Sequence, residues 1–529
     1  MSNFDLILHG GSVIDGTGSE RRLADVGIRG DRITTLGRLD PGSAREAIDV
    51  SGRVVAPGFV DVHNHSDGWL LKDPHLRAKV SQGFTTEILM ADGISYAPVS
   101  PDTATEWIFY LRSINGLQIE DYSGWRTIAE YMNQLDGSTS QNAIAHVPYA
   151  NVRTLAMGWR RGLPDDAEMG MIQAEIQRGM EEGAVGLSTG LDYVAQCFSD
   201  TDELVEACKA IVPYGGVYVT HVRYKKGVIE GVEEAVQIGK RAGVAVHISH
   251  LKATTPELTE QLLETIDRSA REVDFSFDVY PYLPGSTMIH FLLPYDVWEA
   301  GPLGVVPKLR DPGVRRRFAA MLDVLGIDAE RIFIAWVATK DNACYQGRTI
   351  ADYAEQLGKT PADAICDLLI EENLAVLAVV RVAGKEPSDD AMTDAFLAHP
   401  KGMLGSDGIY FPDSVVHPRV YGSAPRVLGP LVRDRGVFSL EEAVYKVSTF
   451  AAERFGLKDR GVIREGAFAD LVVFDPDTIC DTATYDDPHQ TPVGIDTVIV
   501  NGVPVQRDGE PVSAESNTLP GRALLYERS

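Results

Sequence analysis

A chain of 529 residues can bury a large core, and its 44% hydrophobic and 24% charged residues are typical of a globular protein. The net charge of -27 argues against nucleic acid or an anionic membrane surface as a partner. The sequence contains no run of about 18 apolar residues, so we predict no membrane-spanning helix. Five scattered cysteines without a CxxC pair argue against a disulfide framework or a cysteine zinc knuckle. With no export leader in the first residues, we expect a cytoplasmic protein.

Short strands separated by Gly-rich turns are predicted at both ends of the chain. Residues 4–37 alternate apolar and polar positions between such turns, and residues 461–481 and 494–510 return to the same pattern. Neither end has enough strands for a sandwich alone. We therefore predict one small β-sandwich domain, assembled from residues 1–57 and from the end of the segment 451–529. Two independent hairpins flanking the body are the alternative.

The body of the chain, residues 58–450, alternates strand-like apolar runs with amphipathic helical stretches. This βαβα pattern indicates parallel strands joined by crossover helices. A (β/α)8 TIM-like barrel, which is an α/β fold, suits the length of this segment. A doubly wound sheet is less favoured, because no GxGxxG motif or phosphate-binding loop follows the first strands. Residues 283–346 break the rhythm with Pro, Gly and mixed charge. We predict that they form an insertion over the barrel mouth, and that the start of 451–529 supplies the last barrel helix.

Histidines and carboxylates follow several predicted strands at their carboxyl ends, where a barrel of this kind places its active site. Two of them stand in "DVHNH", two residues apart, and would share one face of a strand. Imidazole and carboxylate ligands suit zinc or a similar divalent ion, one or two per subunit. The candidate ligands are His63, His65, Asp92, His221, His250 and Asp407.

The remaining histidines are less tied to strand ends. We expect His247 to face the helix layer as a structural residue, and His146 to border the pocket or support it from behind. His290 and His417 lie in predicted loops over the site, where either side chain would contact substrate.

The motifs, taken together and in order, resemble the amidohydrolase superfamily, and more narrowly the D-aminoacylases, which deacylate N-acyl-D-amino acids. The resemblance covers nearly the whole chain. Its motifs are "APGFVDVHNHSD", "GLSTGLDY", "THVRYKKGVIEGVEEAVQIGKRAGVAVHISHLKA", "DVYPY", "GSDG", "HPRVYGSAPRVLG", "AERFGLKDRGVIREGAFADLVVFDPDT" and "PVGIDTVIVNGVPV".

The resemblance implies roles for the candidate ligands. His63 and His65 would bind one metal position, and His221 and His250 the other. Asp407 would contact the first ion and carry the proton. Many D-aminoacylases have a cysteine in "NCG" where this chain has "ADG", so Asp92 would be the bridging ligand here.

Four further residues are candidates for substrate binding. Lys252 follows His250 and would reach a substrate carboxylate, and the resemblance supports hydroxyl contacts from Tyr193 and Tyr282. Arg381 ends a predicted seventh barrel strand, where a basic group would favour an acidic acyl-amino acid.

The activity implied by the resemblance is metal-dependent hydrolysis of N-acyl-D-amino acids, a small-molecule reaction carried out by a monomer or a homo-oligomer. One alternative keeps the chemistry and changes the substrate to another amide, a carbamate, a lactam or a cyclic ureide. The other alternative, a non-catalytic structural homologue, predicts lost ligands, and none of the six is lost.

Overall fold

Helices alternate with strands through the middle of the chain. The computed structural model describes residues 3–382, 391–512 and 518–527. Across these ranges, no helix is both long enough and apolar enough to cross a membrane. The α-helices are Trp69–Lys72, Arg77–Val80, Pro101–Leu111, Ile128–Leu135, Tyr149–Met157, Asp166–Glu181, Thr201–Lys209, Val228–Ala242, Pro256–Glu272, Val305–Lys308, Pro312–Val324, Ile350–Leu357, Pro361–Glu371, Ala391–Ala398, Arg419–Leu428, Leu440–Val447 and Thr449–Arg454.

Among the described residues, eight parallel strands form a barrel, and we number them one to eight in chain order. Parallel ladders join strands one to three and strands four to eight, and Val185 N donates to Ala145 O between strands three and four. Asp407 N donates to His63 O and closes the ring between strands eight and one. This confirms the predicted (β/α)8 barrel. The eight strands are Phe59–Asp61, Phe84–Leu89, Asn142–Ala145, Gly186–Gly190, Val217–His221, Ala245–Ile248, Phe275–Val279 and Gly402–Leu404.

Apolar side chains fill the floor of the barrel. Val60, Ile144 and Val219 point inward from strands one, three and five and form one buried cluster. Ala451 and Phe455, at the helix Thr449–Arg454, complete this cluster from below. Because helices cover the outside and this plug fills the bottom, the described part of the barrel is open to substrate at the carboxyl ends of its strands.

Both ends of the chain build one β-sandwich, as predicted. One sheet has the order Arg32–Gly37, Asp25–Arg29, Phe4–His9, Ala44–Asp49. The other has the order Glu510–Pro511, Val503–Arg507, Ile495–Val500, Leu471–Phe474, Val54–Pro57, Ser12–Val13, Arg22–Leu23. Leu6, Val26, Leu471 and Ile499 belong to the buried core between the two sheets.

The insertion over the barrel mouth is longer than predicted. The chain leaves strand seven at Val279 and returns to the barrel only at Gly402. Between them lies a separate antiparallel sheet of three strands, in which Val376–Val380 is flanked by Gly285–Met288 and Ile332–Val337. The prediction that residues 376–380 form a barrel strand is therefore wrong. A five-residue apolar run buries equally well in either sheet, so its composition could not decide.

Candidate active site

The six candidate ligands meet at the carboxyl ends of the barrel strands. His63 and His65 follow strand one, Asp92 follows strand two, and His221 ends strand five. His250 follows strand six and Asp407 follows strand eight. Parallel strands in register bring residues at their carboxyl ends to the same height, so positions far apart in sequence converge on one mouth.

The ligand atoms of these residues are close enough to share metal ions. His65 Nε2 lies 3.3 Å from Asp407 Oδ1, and His63 Nε2 lies 3.5 Å from Asp92 Oδ1. His221 Nδ1 lies 3.0 Å from His250 Nε2. Two sets have all their ligand atoms within 4.8 Å of one another: His63 with Asp92 and His250, and His63 with His65 and Asp407. Because His63 belongs to both, the sets form one centre.

The hydrogen bonding of this centre fits a bound cation. Within the described residues, both ring nitrogens of His63 and both carboxylate oxygens of Asp92 are buried without a hydrogen-bond partner. Burying such groups unpaired is costly, and proteins usually avoid it. A divalent ion would satisfy His63 Nε2 and the Asp92 carboxylate, and imidazole with carboxylate is a donor set that zinc accepts.

Burial also sets the ionisation of the ligands. It lowers the pKa of His63 and His250 well below the usual range, so these imidazoles are neutral and offer a lone pair. Burial raises the pKa of Asp92. For Asp407 burial is the largest cause and acts in the same direction, but the Arg419 guanidinium, a hydrogen bond from His65 and the nearby His250 and His63 together outweigh it, so the pKa lies well below the usual range.

Asp92 is held in place by a network around its backbone. Met90 and Asp92 have φ angles of 64° and 59°, in the left-handed region that non-glycine residues seldom occupy. Asp67 Oδ1 accepts hydrogen bonds from Met90 N and from Ser95 Oγ, on either side of Asp92. Gln196 Nε2 donates to Asp92 O at 2.8 Å. These contacts hold a strained segment so that its carboxylate faces the histidines.

A cavity of about 440 Å³ opens beside the ligands. Tyr193 and Lys252, two predicted substrate contacts, line it together with His221, His250 and Asp407. Its other walls are largely apolar, and they include Ile114, Val228, Leu258, Phe291, Leu292 and Val380.

Tyr282 does not line this cavity, which corrects the prediction. Its hydroxyl donates to Asp481 Oδ2 at 3.0 Å, and the side chain is buried between the insertion and the C-terminal segment. Tyr280 lines the cavity instead, and its hydroxyl accepts from Lys252 Nζ at 2.5 Å. Both tyrosines follow strand seven, where the alternation of strand side chains no longer applies.

Arg381 lies at a neighbouring cavity of about 190 Å³ rather than at the ligands. Its guanidinium packs over the rings of Phe333 and Tyr485, at 4.1 and 5.4 Å from the ring centroids. The structure therefore does not bring Arg381 together with the other site residues. The reason is that the strand before it belongs to the insertion sheet and not to the barrel.

Comparison with known proteins identifies the family. The sequence profile of the amidohydrolase family matches residues 46–506. The chain belongs to this family. A D-aminoacylase of Alcaligenes xylosoxydans xylosoxydans is 34% identical over 96% of this chain and 95% of its own length.

Two solved structures of relatives cover 99% of this chain and 100% of their own. One is an N-acyl-D-glutamate deacylase of Bordetella bronchiseptica with zinc and a phosphonate inhibitor described as a mimic of the tetrahedral intermediate, at 32% identity and a TM-score of 0.82. The other is a D-aminoacylase described as having a binuclear metal centre, at 33% identity and a TM-score of 0.79.

Four further histidines of this amidohydrolase are buried outside the two sets of candidate ligands. His247 lies inside the barrel and not towards the helices, because its Nε2 lies 2.9 Å from Asp278 Oδ2 on the inward face of strand seven. His146 is buried in the floor near Phe455. His290 is packed between two aromatic rings, and His417 Nε2 bonds to the Pro284 carbonyl.

Sequence reasoning missed two residues at the centre. Asp278 Oδ1 accepts from His250 N at 2.8 Å, and Arg419 Nη1 lies 2.8 Å from Asp407 Oδ2. Asp278 is the first residue of the motif "DVYPY", and Arg419 is the arginine of "HPRVYG". The position of Asp278 at the end of a strand was the available signal, whereas nothing local marks Arg419 as a neighbour of Asp407.

Proposed function

We propose that this enzyme hydrolyses N-acyl-D-amino acids to a carboxylate and a free D-amino acid, using zinc held by the six candidate ligands. The convergence of four histidines and two aspartates beside one cavity carries the proposal. The deacylase relatives support the substrate class, and the zinc in one of them supports the metal. The free cysteines of the described structure favour a reducing compartment, and we propose the cytoplasm.

A divalent ion at this centre would supply Lewis-acid chemistry by activating water and polarising the amide carbonyl. Asp407 performs the proton transfer. It accepts a proton from the attacking water as the new C–O bond forms, and it returns that proton to the nitrogen as the C–N bond breaks. Its position beside His63 and His65, two of the candidate metal ligands, supports this role.

We further propose that the substrate carries a neutral, apolar side chain. Among the described residues that line the cavity, Lys252 is the one permanent cation, and its Nζ already donates to Tyr280 Oη and to the Leu283 and Pro284 carbonyls. The charge of this lysine suits the α-carboxylate, which would replace one of these three acceptors. No second cation then remains at the cavity wall for an acidic side chain, whereas Leu258, Phe291 and their apolar neighbours suit an aliphatic or aromatic one.

A substrate panel tests this function. We expect the zinc-loaded enzyme to hydrolyse N-acetyl-D-leucine and N-acetyl-D-phenylalanine at least about tenfold faster, in kcat/KM, than N-acetyl-D-glutamate or the L-enantiomers. Preference for the glutamate or aspartate derivative would refute the apolar assignment. Activity confined to lactams, carbamates or cyclic ureides would refute deacylation.

The role of Asp407 is tested by Asp407→Asn. Five ligands remain, so zinc content should stay above half of the wild-type value while kcat falls at least about 100-fold. Metal content by elemental analysis and steady-state rates are measured on the same preparation. An active Asp407→Asn enzyme would exclude this residue as the proton carrier.

A further inference from the structure

One arginine side chain lies next to the proton carrier. Arg419 has no solvent exposure, and its Nη1 lies 2.8 Å from Asp407 Oδ2. Its guanidinium also packs over the ring of Tyr280, 4.4 Å from the centroid, so it touches two residues of the site. The nearby groups facing Asp407 from strand one are His63 and His65, and both are uncharged when they hold a metal ion.

The two oxygens of Asp407 have different partners. Oδ1 faces the histidines, at 3.3 Å from His65 Nε2 and 3.7 Å from His63 Nε2. Oδ2 faces Arg419. An aspartate has only two side-chain torsions, so fixing one oxygen also fixes the direction of the other.

The arginine itself is anchored to the insertion. Its Nη2 donates to Ser286 O at 3.0 Å, in the first strand of the insertion sheet. Its backbone N donates to His417 Nδ1, and His417 Nε2 in turn bonds to Pro284 O. The position of Arg419 therefore depends on the insertion as well as on its own helix, Arg419–Leu428.

Arg419 differs from a buried arginine that serves only the fold. Arg153 is equally buried, but its Nε and Nη2 both bond to Glu203, and Nη2 also donates to Gly162 O. By contrast, Arg419 Nε and Nη1 have no hydrogen-bond partner among the described residues, so the contact of Nη1 with Asp407 Oδ2 is an ion pair by distance. A guanidinium that leaves two buried donors without a hydrogen bond beside Asp407 points to a role in the site.

We propose that Arg419 is a positioning residue for Asp407: its guanidinium holds Oδ2 and thereby directs Oδ1 towards the reacting atoms. The inference rests on the proposed function of Asp407 as proton carrier. In each cycle Asp407 takes one proton from water, which adds to the carbonyl carbon, and gives it to nitrogen as the C–N bond breaks. Arg419 exchanges no proton and ends the cycle unchanged.

Kinetics with chemical rescue provide the first test. In zinc-loaded Arg419→Ala, we expect kcat to fall about 100-fold, the size of effect that follows a misplacement of about 1 Å, with KM changed less than about threefold. Added guanidinium ion, which fits the vacated space, should raise kcat at least about tenfold, and methylammonium should not. Arg419→Lys keeps the charge without the planar fork and should lose about tenfold. Arg153→Lys is the matched control and should keep kcat whether or not guanidinium is added.

Spectroscopy of the cobalt-substituted protein tests the positioning without a substrate. Arg419→Ala and Arg419→Lys should shift the visible d–d bands in the same direction as Asp407→Asn, because each disturbs the same ligand, and guanidinium should reverse the shift in Arg419→Ala. Arg153→Lys should keep the wild-type spectrum.

The two readouts separate failure of the inference from failure of the proposed function. If the wild type hydrolyses no N-acyl-D-amino acid but the spectra shift as expected, the positioning holds and the proposed reaction is wrong. Wild-type spectra in both Arg419 variants, or kcat within twofold of wild type, would overturn the positioning. Loss of kcat in metal-loaded Arg419→Ala that guanidinium fails to restore would also overturn it.

Discussion

At the scale of single residues, a buried ionic cluster lies behind the candidate metal ligands. Lys79 Nζ lies 2.5 Å from Asp61 Oδ2 and 3.7 Å from Glu87 Oε2, and all three side chains are buried. Ser406 N donates to Asp61 Oδ1, which ties the residue before Asp407 to strand one. Burial, only partly offset by Lys79, raises the pKa of Glu87 from 4.5 to about 7.

The raised pKa of Glu87 predicts a loss of stability as the pH rises. Between about 4.5 and about 7 the folded protein binds the proton that the unfolded chain has released, so the free energy of unfolding falls through this window, by about 3 kcal/mol in total. Glu87→Gln removes this dependence. Urea unfolding at pH 4.5, 6 and 8 should show the free energy of unfolding of Glu87→Gln rising relative to that of the wild type as the pH increases. Parallel pH profiles of the two proteins would contradict the prediction.

The two tyrosines after strand seven should respond differently to loss of the hydroxyl. Tyr280→Phe removes the partner of Lys252 in the cavity, and we expect kcat/KM to fall about tenfold with little change in stability. Tyr282→Phe leaves Asp481 short of a hydrogen bond, so the free energy of unfolding should fall by about 1 kcal/mol with kcat/KM unchanged. Steady-state rates and urea unfolding of both variants check this pair, and the opposite pattern would restore Tyr282 to the site.

Residue types at strand ends were sufficient to predict which side chains meet at the barrel mouth, because parallel register carries residues such as His221 and His250 to one place. They were not sufficient for Tyr282, since the chain turns after Val279 and local sequence does not show which tyrosine turns inward. Arg419 lay beyond prediction from sequence, because its pairing with Asp407 depends on how a later helix packs against the barrel.

At the scale of elements, an aspartate links the insertion to one of the candidate metal ligands. Asp192 follows strand four, and its Oδ2 lies 3.4 Å from His221 Nε2. Tyr295, in the insertion, donates a hydrogen bond to Asp192 Oδ1. His221 Nδ1 is thereby left facing His250, so the aspartate and the insertion together orient this ligand.

Asp192→Asn should therefore weaken metal binding. Outer partners of ligating histidines affect metal affinity about 10- to 100-fold, and we expect a loss of at least about tenfold. Competition with a coloured chelator measures the affinity, and Asp165→Asn, which changes an exposed helix cap, serves as control. Unchanged zinc affinity in Asp192→Asn would show that Asp192 does not orient the ligand.

The repeating strands and helices of the barrel were predictable from periodicity, since each unit buries one face against its neighbours. The insertion sheet was not. Its central strand, Val376–Val380, is as apolar as a barrel strand, and only its hydrogen bonds to Gly285–Met288 and Ile332–Val337 show that it belongs elsewhere.

At the scale of the whole molecule, the metal centre joins strands from opposite sides of the barrel, so its loading should affect global stability. Buried, unpaired atoms such as those of His63 and Asp92 destabilise the apoprotein. Zinc at about 100 times its dissociation constant should raise the free energy of unfolding by about 2.7 kcal/mol. Thermal unfolding of chelator-treated protein before and after zinc addition measures this, with His63→Ala as the control that should gain less. A melting temperature indifferent to zinc would argue against this centre.

The β-sandwich has a consequence for synthesis of the chain. Val54–Pro57 pairs on one side with Ser12–Val13, which precedes it, and on the other with Leu471–Phe474, which is translated roughly 410 residues later. At a translation rate of about 5 to 20 residues per second, that edge of Val54–Pro57 stays unpaired for roughly 20 to 80 seconds. An unpaired strand edge is a template for pairing with other chains. The N-terminal strands therefore expose an edge that can pair with other chains during synthesis, and the sandwich can close only after the barrel segment has been made.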